Sequence, residues 1–340
     1  MGTVKSLDNN YGSDKNGLIW GYRFSPDRAA EAVDLDAISD FLAGQPQEDG
    51  AFVWLHFPLS NQGSERFFRR SLDLPEGFLE SLRSEVGSTR LELDEGRLIA
   101  VIHDVLFDST FDTSDVGTTS LCIAPTLVVS ARLRPLRSVD QLRAAVRAGQ
   151  HFRSPVELLA HLLRDQASVL GDIVRKSSAR VDQIEDRLLT NRIATDRKEL
   201  GALRRNLVRL QRLLAPEPTA LFRLLNRPPA WIGREDVADL RQAAEEFSTA
   251  IGDSAALVER VKLIQEELAA LVNEQTGRTL FVLTMVTVLA LPINLVAGLF
   301  GMNVGGVPLA NSSRGFAVVL GMLVLLTIVL AYIAFGRRRD

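Results

Sequence analysis

The stretch TLFVLTMVTVLALPINLVAGLFGMNVGGVP, Thr279 to Pro308, decides how the chain is built. Its first part, Thr279 to Phe300, carries no Asp, Glu, Lys, Arg or His. That run is about as long as an α-helix must be to cross the hydrocarbon core of a bilayer. A second run of the same character follows at Phe316 to Phe335, after a glycine-rich, uncharged segment that includes Asn303. Two buried core helices are the competing reading, but core helices rarely run this long without a charge. The C-terminal end is therefore read as a pair of membrane spans.

Outside these runs the composition is that of a soluble protein. The chain has 340 residues, is 46% hydrophobic and 24% charged, and has a net charge of −3. That balance gives no basic footprint, so no nucleic-acid partner is expected. The N-terminal sequence MGTVKSLDNNYGSDKNG is polar and has no apolar signal-like region, which predicts a cytoplasmic N-terminal part. Arg337, Arg338 and Arg339 follow the second run, whereas the segment between the runs has Arg314 alone. By the positive-inside rule both termini lie in the cytoplasm and the glycine-rich segment lies outside. Cys122 is the sole cysteine, which excludes an internal disulfide framework and a multi-thiolate metal site.

Six segments are expected. Residues 1–150 form a cytoplasmic α/β domain, 151–278 a cytoplasmic long-helix region, 279–300 the first span, 301–315 an outer loop, 316–336 the second span and 337–340 a basic tail. Within the first segment, Leu18–Phe24, Ala51–Phe57, Arg97–Phe107, Thr118–Ala124 and Thr126–Leu133 are short and rich in β-branched or aromatic residues, and are read as strands. Asp34–Leu42, Ser64–Leu72 and Pro75–Val86 are read as helices. Ser154 and Pro155 predict the start of a long helix, as N-cap and first helical residue. A further helix, Asp196 to Leu214, is expected to stop at Pro216 and Pro218. Helical pattern resumes near Glu235, and a single helix is expected to run from there to Phe300, past Gly252 and Gly277.

Successive residues of a helix turn by about 100°, which fixes the polar face of the first span. With Thr284 at zero, Thr287 falls at about −60° and Asn294 at about −80°. The same face takes in Asn273, Gly277, Leu280, Leu291 and Gly298, and further down the helix Glu259 and Glu266. Two uses compete. Threonine and asparagine can join helices, the hydroxyls bonding to carbonyls one turn back. They can also border a water-filled pore, which a chain with two spans can enclose only as a homo-oligomer. On the second use Glu259 and Glu266 form carboxylate rings at the cytoplasmic mouth, and leucines such as Leu280, Leu283 and Leu291 can shut the pore by excluding water.

Gly301-Met302-Asn303 after an apolar helix containing Pro292, followed by a short loop, a second apolar helix and a basic end, resembles the CorA family of metal-ion transporters. The resemblance covers the plan of the whole chain and implies a funnel-shaped homopentamer in a bacterial-type inner membrane, with the first span of each subunit lining a central pore. It implies that Gly301, Met302 and Asn303 form the pore entrance, Asn303 holding a hydrated cation through its water shell. Magnesium-transporting members commonly place acidic residues after this tripeptide, whereas this chain reads GMNVGGVPLANSSRG, similar to the zinc-transporting ZntB branch. Zinc uptake, which the branch is thought to couple to protons, is thus favoured over magnesium, cobalt or nickel transport. No tightly bound cofactor is expected, only the transported cation. A membrane-anchored regulatory protein is the rival reading. An enzyme is disfavoured by the lack of a nucleophile elbow, Walker loop, dinucleotide fingerprint or metal-ligand motif. His103 and Asp104, adjacent on a strand, point to opposite faces and are read as structural or surface residues.

Overall fold

A computed structural model describes residues 13–14, 16–26, 28–42, 50–83, 89–106, 116–188, 193–302 and 313–336. The chain divides into two compact units, Met1–Ile264 and Gln265–Asp340.

The first unit is built on a seven-stranded sheet in the order β2-β1-β3-β7-β6-β5-β4. In chain order its strands are β1 (Trp20–Ser25), β2 (Arg28–Val33), β3 (Phe52–Pro58), β4 (Arg90–Asp94), β5 (Arg97–Val105), β6 (Val116–Ile123) and β7 (Leu127–Arg132). β3 and β7 pair in parallel, and the other neighbours are antiparallel. Every residue of β3 is buried, so the strand reads as an unbroken apolar run and not as an alternation. The reason is cover on both faces. Val53, Leu55 and Phe57 pack with Ile38 of α1 (Leu35–Leu42), Phe68 of α2 (Gln62–Ser71) and Phe78 of α3 (Glu76–Ser81). Phe52 and Trp54 face the opposite core, which is filled from α4 (Arg137–Arg147), α5 (Pro155–Leu188), α7 (Pro216–Asn226) and the beginning of α8 (Arg234–Phe300).

The five strands expected from sequence are present, shifted by one or two residues at their ends; Phe107 lies outside the described residues. β2 and β4 were not expected. Both are edge strands with mostly exposed side chains, RAAEAV and RLELD, and so lack the core-facing alternation that marks a strand in sequence. Of the three short helices, α1 and α2 fall close to the predicted ranges. α3 ends at Ser81, short of the predicted Val86, and residues 84–86 are outside the described ones.

Ser154 caps α5 as predicted, its Oγ accepting from the Glu157 N–H at 3.0 Å. α6 (Ile193–Leu214) stops before Pro216, but Pro216 and Pro218 then open α7. Proline lacks the N–H that the first turn leaves unused, and its fixed φ suits that turn. The same residues that end one helix therefore begin the next. α8 is 67 residues long and contains Pro292 and both expected glycine interruptions without breaking. Within the first unit its buried residues Leu240, Ala244, Phe247, Leu257, Val261 and Ile264 recur at helical spacing along one side.

The second unit holds the remainder of α8 and α9 (Gly315–Gly336). Both helices contain windows long and apolar enough to cross a membrane, with mean hydropathy 2.3 and 2.5, of which 0% and 6% is buried inside the chain. A soluble core helix would be mostly buried. These are apolar surfaces that need a lipid or protein environment to cover them.

Candidate ion pathway

In the second unit α8 has two distinct sides. Phe281, Met285, Leu289, Pro292 and Val296 are half-buried and recur every three or four residues. On α9 the half-buried residues Val319, Leu323, Thr327 and Leu330 have the same spacing. The stripes meet at one end, where Val296 and Phe300 line one apolar groove together with Val319, Met322, Leu323 and Leu326. On a helical wheel the α9-facing stripe centres about 145° from the face that carries Thr284, Thr287 and Asn294.

That second face is open. Leu280, Thr284, Thr287, Leu291, Asn294 and Gly298 are all exposed, Leu280 at 57% and Leu291 at 64%. Asn273 and Gly277, a turn or two earlier, are exposed as well. Among the described residues no heavy atom lies within 4 Å of where a Cβ would stand on Gly277 or Gly298, so none of them requires glycine at either position. Helix–helix packing against α9 therefore does not use the polar face.

The threonines add a chemical detail. Thr284 Oγ1 donates to the Leu280 carbonyl at 2.8 Å, and Thr287 Oγ1 donates to the Leu283 carbonyl at 2.9 Å. These are the one-turn-back bonds foreseen in the packing reading. A hydroxyl whose proton is so used retains its lone pairs as acceptors. Together with the Asn294 amide oxygen, the exposed face offers oxygens able to accept from the water shell of a hard cation.

At the C-terminal end of α8, the Gly301 N–H donates to the Ala297 carbonyl at 3.0 Å and closes the helix. A Cβ on Gly301 would stand 3.0 Å from that same oxygen, tighter than side chains normally sit, which is a local reason for glycine there. Met302 is 53% exposed. Asn303, the rest of the outer loop and the basic tail lie outside the described residues.

Glu259 and Glu266 are both exposed. Glu259 is not a bare carboxylate, because Lys262 Nζ donates to its Oε1 at 3.0 Å. Lys262 falls on the same wheel face, at about −40°, and partly offsets the acidic ring expected from the glutamates alone. The sequence pattern that selects Glu259 and Glu266 selects Lys262 too.

His103 and Asp104 are both buried, and neither lies at the surface. Asp104 caps α4 from a distance, its carboxylate accepting from the Ser138 N–H at 2.7 Å and Ser138 Oγ at 2.8 Å. His103 meets Glu217, the first-turn acid of α7, which sequence reading placed in a proline-rich stop. Among the described residues no group of three or more His, Cys, Asp or Glu side chains is placed to hold a metal ion.

Comparison with known proteins gives a consistent picture. The family described as "CorA-like Mg2+ transporter protein" matches residues 49–338. The divalent cation transporter CmaX of Pseudomonas aeruginosa is 27% identical over 310 residues, covering 89% of this chain and 91% of that protein. The zinc transport protein ZntB of Yersinia enterocolitica is 22% identical over 315 residues, covering 92% of this chain and 93% of its own. The structure of full-length CmaX superposes with a TM-score of 0.81 at 24% identity, covering 96% of this chain and 99% of that one.

Proposed function

Because the chain belongs to the CorA-like Mg2+ transporter family, a family of transporters and not of enzymes, we propose that it carries a divalent metal cation across a membrane. In this reading five copies surround an axis, and α8 of each turns Thr284, Thr287 and Asn294 toward it. The observation that supports the reading is the unspent face of α8: its oxygens are exposed and turned away from α9, which already has its own apolar stripe. A membrane anchor has no use for such a face, since buried or lipid-facing polar groups cost free energy.

The cation passes with water around it. Neutral oxygens repeated by symmetry hold a hydrated ion loosely, and loose holding is what allows release on the far side. Asn303 at the entrance would greet the ion through its first water shell. Leu280 and Leu291 on the same face are the narrow apolar positions at which water is excluded when the pathway shuts. In this account the protein sits in a bacterial-type inner membrane with both termini on the cytoplasmic side.

We assign zinc as the cargo. The loop GMNVGGVP lacks a carboxylate to attract magnesium, and the relative ZntB is a zinc transport protein. The family description names magnesium, so the two ions need direct comparison. Purified protein in liposomes loaded with a metal-sensitive dye is expected to take up zinc faster than magnesium, cobalt or nickel, and faster still with an inward proton gradient. Equal or greater magnesium uptake would reassign the cargo. No uptake of any of the four ions would remove the transport reading.

A further inference from the structure

Three buried polar atoms without a hydrogen-bond partner belong to one small cluster: His103 Nε2, Glu217 Oε2 and Gln166 Oε1. Its residues come from β5, α7 and α5, with Gln166 63 and Glu217 114 positions from His103 in sequence. Among the described residues the β4–β5 pairing extends as far as Arg90↔Val101, and His103 lies two residues beyond it. Two side chains bond the His103 backbone. Glu217 Oε1 accepts from the His103 N–H at 2.6 Å, and Gln166 Nε2 donates to the His103 carbonyl at 2.5 Å. Both backbone polar groups of His103 are thereby satisfied.

The arrangement leaves one defect. With Nε2 of Gln166 committed to the carbonyl, its Oε1 is an acceptor lacking a donor, and Oε2 of an ionised Glu217 is a second one. The Gln166 side chain also interacts with the Glu217 carboxyl, favouring its ionised form against the larger effect of burial. A carboxylate with 0% exposure and one bare oxygen is costly, as is a buried bare amide oxygen. A single proton on Oε2 of Glu217 would turn that oxygen into a donor, and Gln166 Oε1 is a buried acceptor in the same cluster that lacks one.

We propose that Glu217, Gln166 and the His103 backbone form a buried proton-binding site, in which Glu217 is held as a neutral acid that locks α7 and α5 to β5. The competing place for the proton is the imidazole of His103, whose Nδ1 lies 3.6 Å from Glu217 Oε1 and 3.2 Å from Thr89 Oγ1. An imidazolium would carry a donor at Nε2 as well, and that atom is buried with nothing to accept from it. The neutral acid leaves fewer groups unpaired.

Among the described residues the titratable groups that interact with Glu217 are His103 and Asp104 on β5, and α5 contributes the neutral Gln166. Burial raises the Glu217 carboxyl above its usual range, with the hydrogen bonds from His103 and Gln166 opposing it. Burial likewise pushes Asp104 from 3.8 up to about 7, against the bonds from Ser138 and Val105. A raised carboxyl binds its proton more tightly in the folded chain. The stability it supplies is complete at acid pH and is lost as pH rises through the raised value. His56, whose imidazole is driven well below its usual value by burial and by Arg132 and Arg143, has the opposite sign.

Infrared spectroscopy of the full chain in detergent at neutral pH tests the site. The wild-type minus Glu217→Gln difference spectrum is expected to contain the carbonyl band of a protonated carboxylic acid, and Asp104→Asn is expected to leave that band in place. Gln166→Leu should move the band to higher frequency, as an acid that has lost its acceptor does. Glu217→Gln should fold normally, since its amide can donate to Gln166 and accept from His103, and its melting temperature should fall less with rising pH than that of the wild type. Carboxylate bands in place of the acid band would overturn the proposal. Failure of the amide variant to fold, or an acid band unmoved by Gln166→Leu, would also count against it. None of these readouts depends on transport.

Discussion

Asn303→Ala is expected to reduce divalent-cation uptake into liposomes by roughly tenfold or more, a barrier change of at least about 1.4 kcal/mol. The reasoning starts from what a hydrated divalent ion needs at an entrance. It sheds water reluctantly, so a mouth that works through the water shell must present acceptors at the right places without binding the metal itself. Alanine keeps the backbone but offers no side-chain acceptor, and by symmetry each replacement is repeated in every subunit. The soluble unit, Met1–Ile264, contains no part of this loop, so its melting temperature should not change. Undiminished uptake by a folded Asn303→Ala variant would take the entrance role from this residue.

Leu291→Asn should have the opposite sign. Leu291 is 64% exposed on the same face of α8 as Thr284 and Asn294, with no role in covering α9. A ring of leucines at a narrow point keeps water out of a resting pathway by dewetting, and an amide in its place invites water in. Basal leak of small cations is expected to rise roughly tenfold, again about 1.4 kcal/mol of barrier. If the leucine were merely a lipid-facing residue, the polar replacement would weaken membrane insertion or assembly without opening a leak. Conductance in planar bilayers, read beside the yield of assembled protein, separates the two.

The Leu291 prediction rests on a face that sequence periodicity made visible, and the Asn303 prediction on what the resemblance carried by Gly301-Met302-Asn303 implies. The two apolar runs, the amphipathic spacing of Thr284, Thr287 and Asn294, and the buried strand FVWLHFP each carry a strong local signal, because each is dictated by what surrounds it along its entire length. Helix α7 was hidden for a different reason. Pro216 and Pro218 are read correctly as a stop for α6, and nothing local says that the same prolines start a new helix. β2 and β4 were hidden because an edge strand has solvent on its outer side and keeps little apolar pattern. The pairing of Glu217 with His103 joins residues 114 positions apart, and a lone acid between prolines gives no hint of it. Lys262 was legible all along, on the very face chosen for Glu259 and Glu266, and its ion pair tempers the cytoplasmic mouth that those glutamates alone would have made.

Orientation of the polar face toward water is the central claim, and the chain is well suited to a direct check. Cys122 is its sole cysteine, is buried, and has a thiol pushed up to about 12 by burial, so it should not react. Single substitutions Thr284→Cys, Thr287→Cys and Asn294→Cys can therefore be compared with Phe281→Cys and Met285→Cys, whose native side chains lie on the α9-facing stripe. The account predicts that a membrane-impermeant, water-soluble thiol reagent labels the first three in liposomes and blocks cation uptake as it does so, while the last two remain unlabelled. Labelling of Phe281→Cys and Met285→Cys with protection of the other three would contradict it, as would equal protection of all five in protein that still transports.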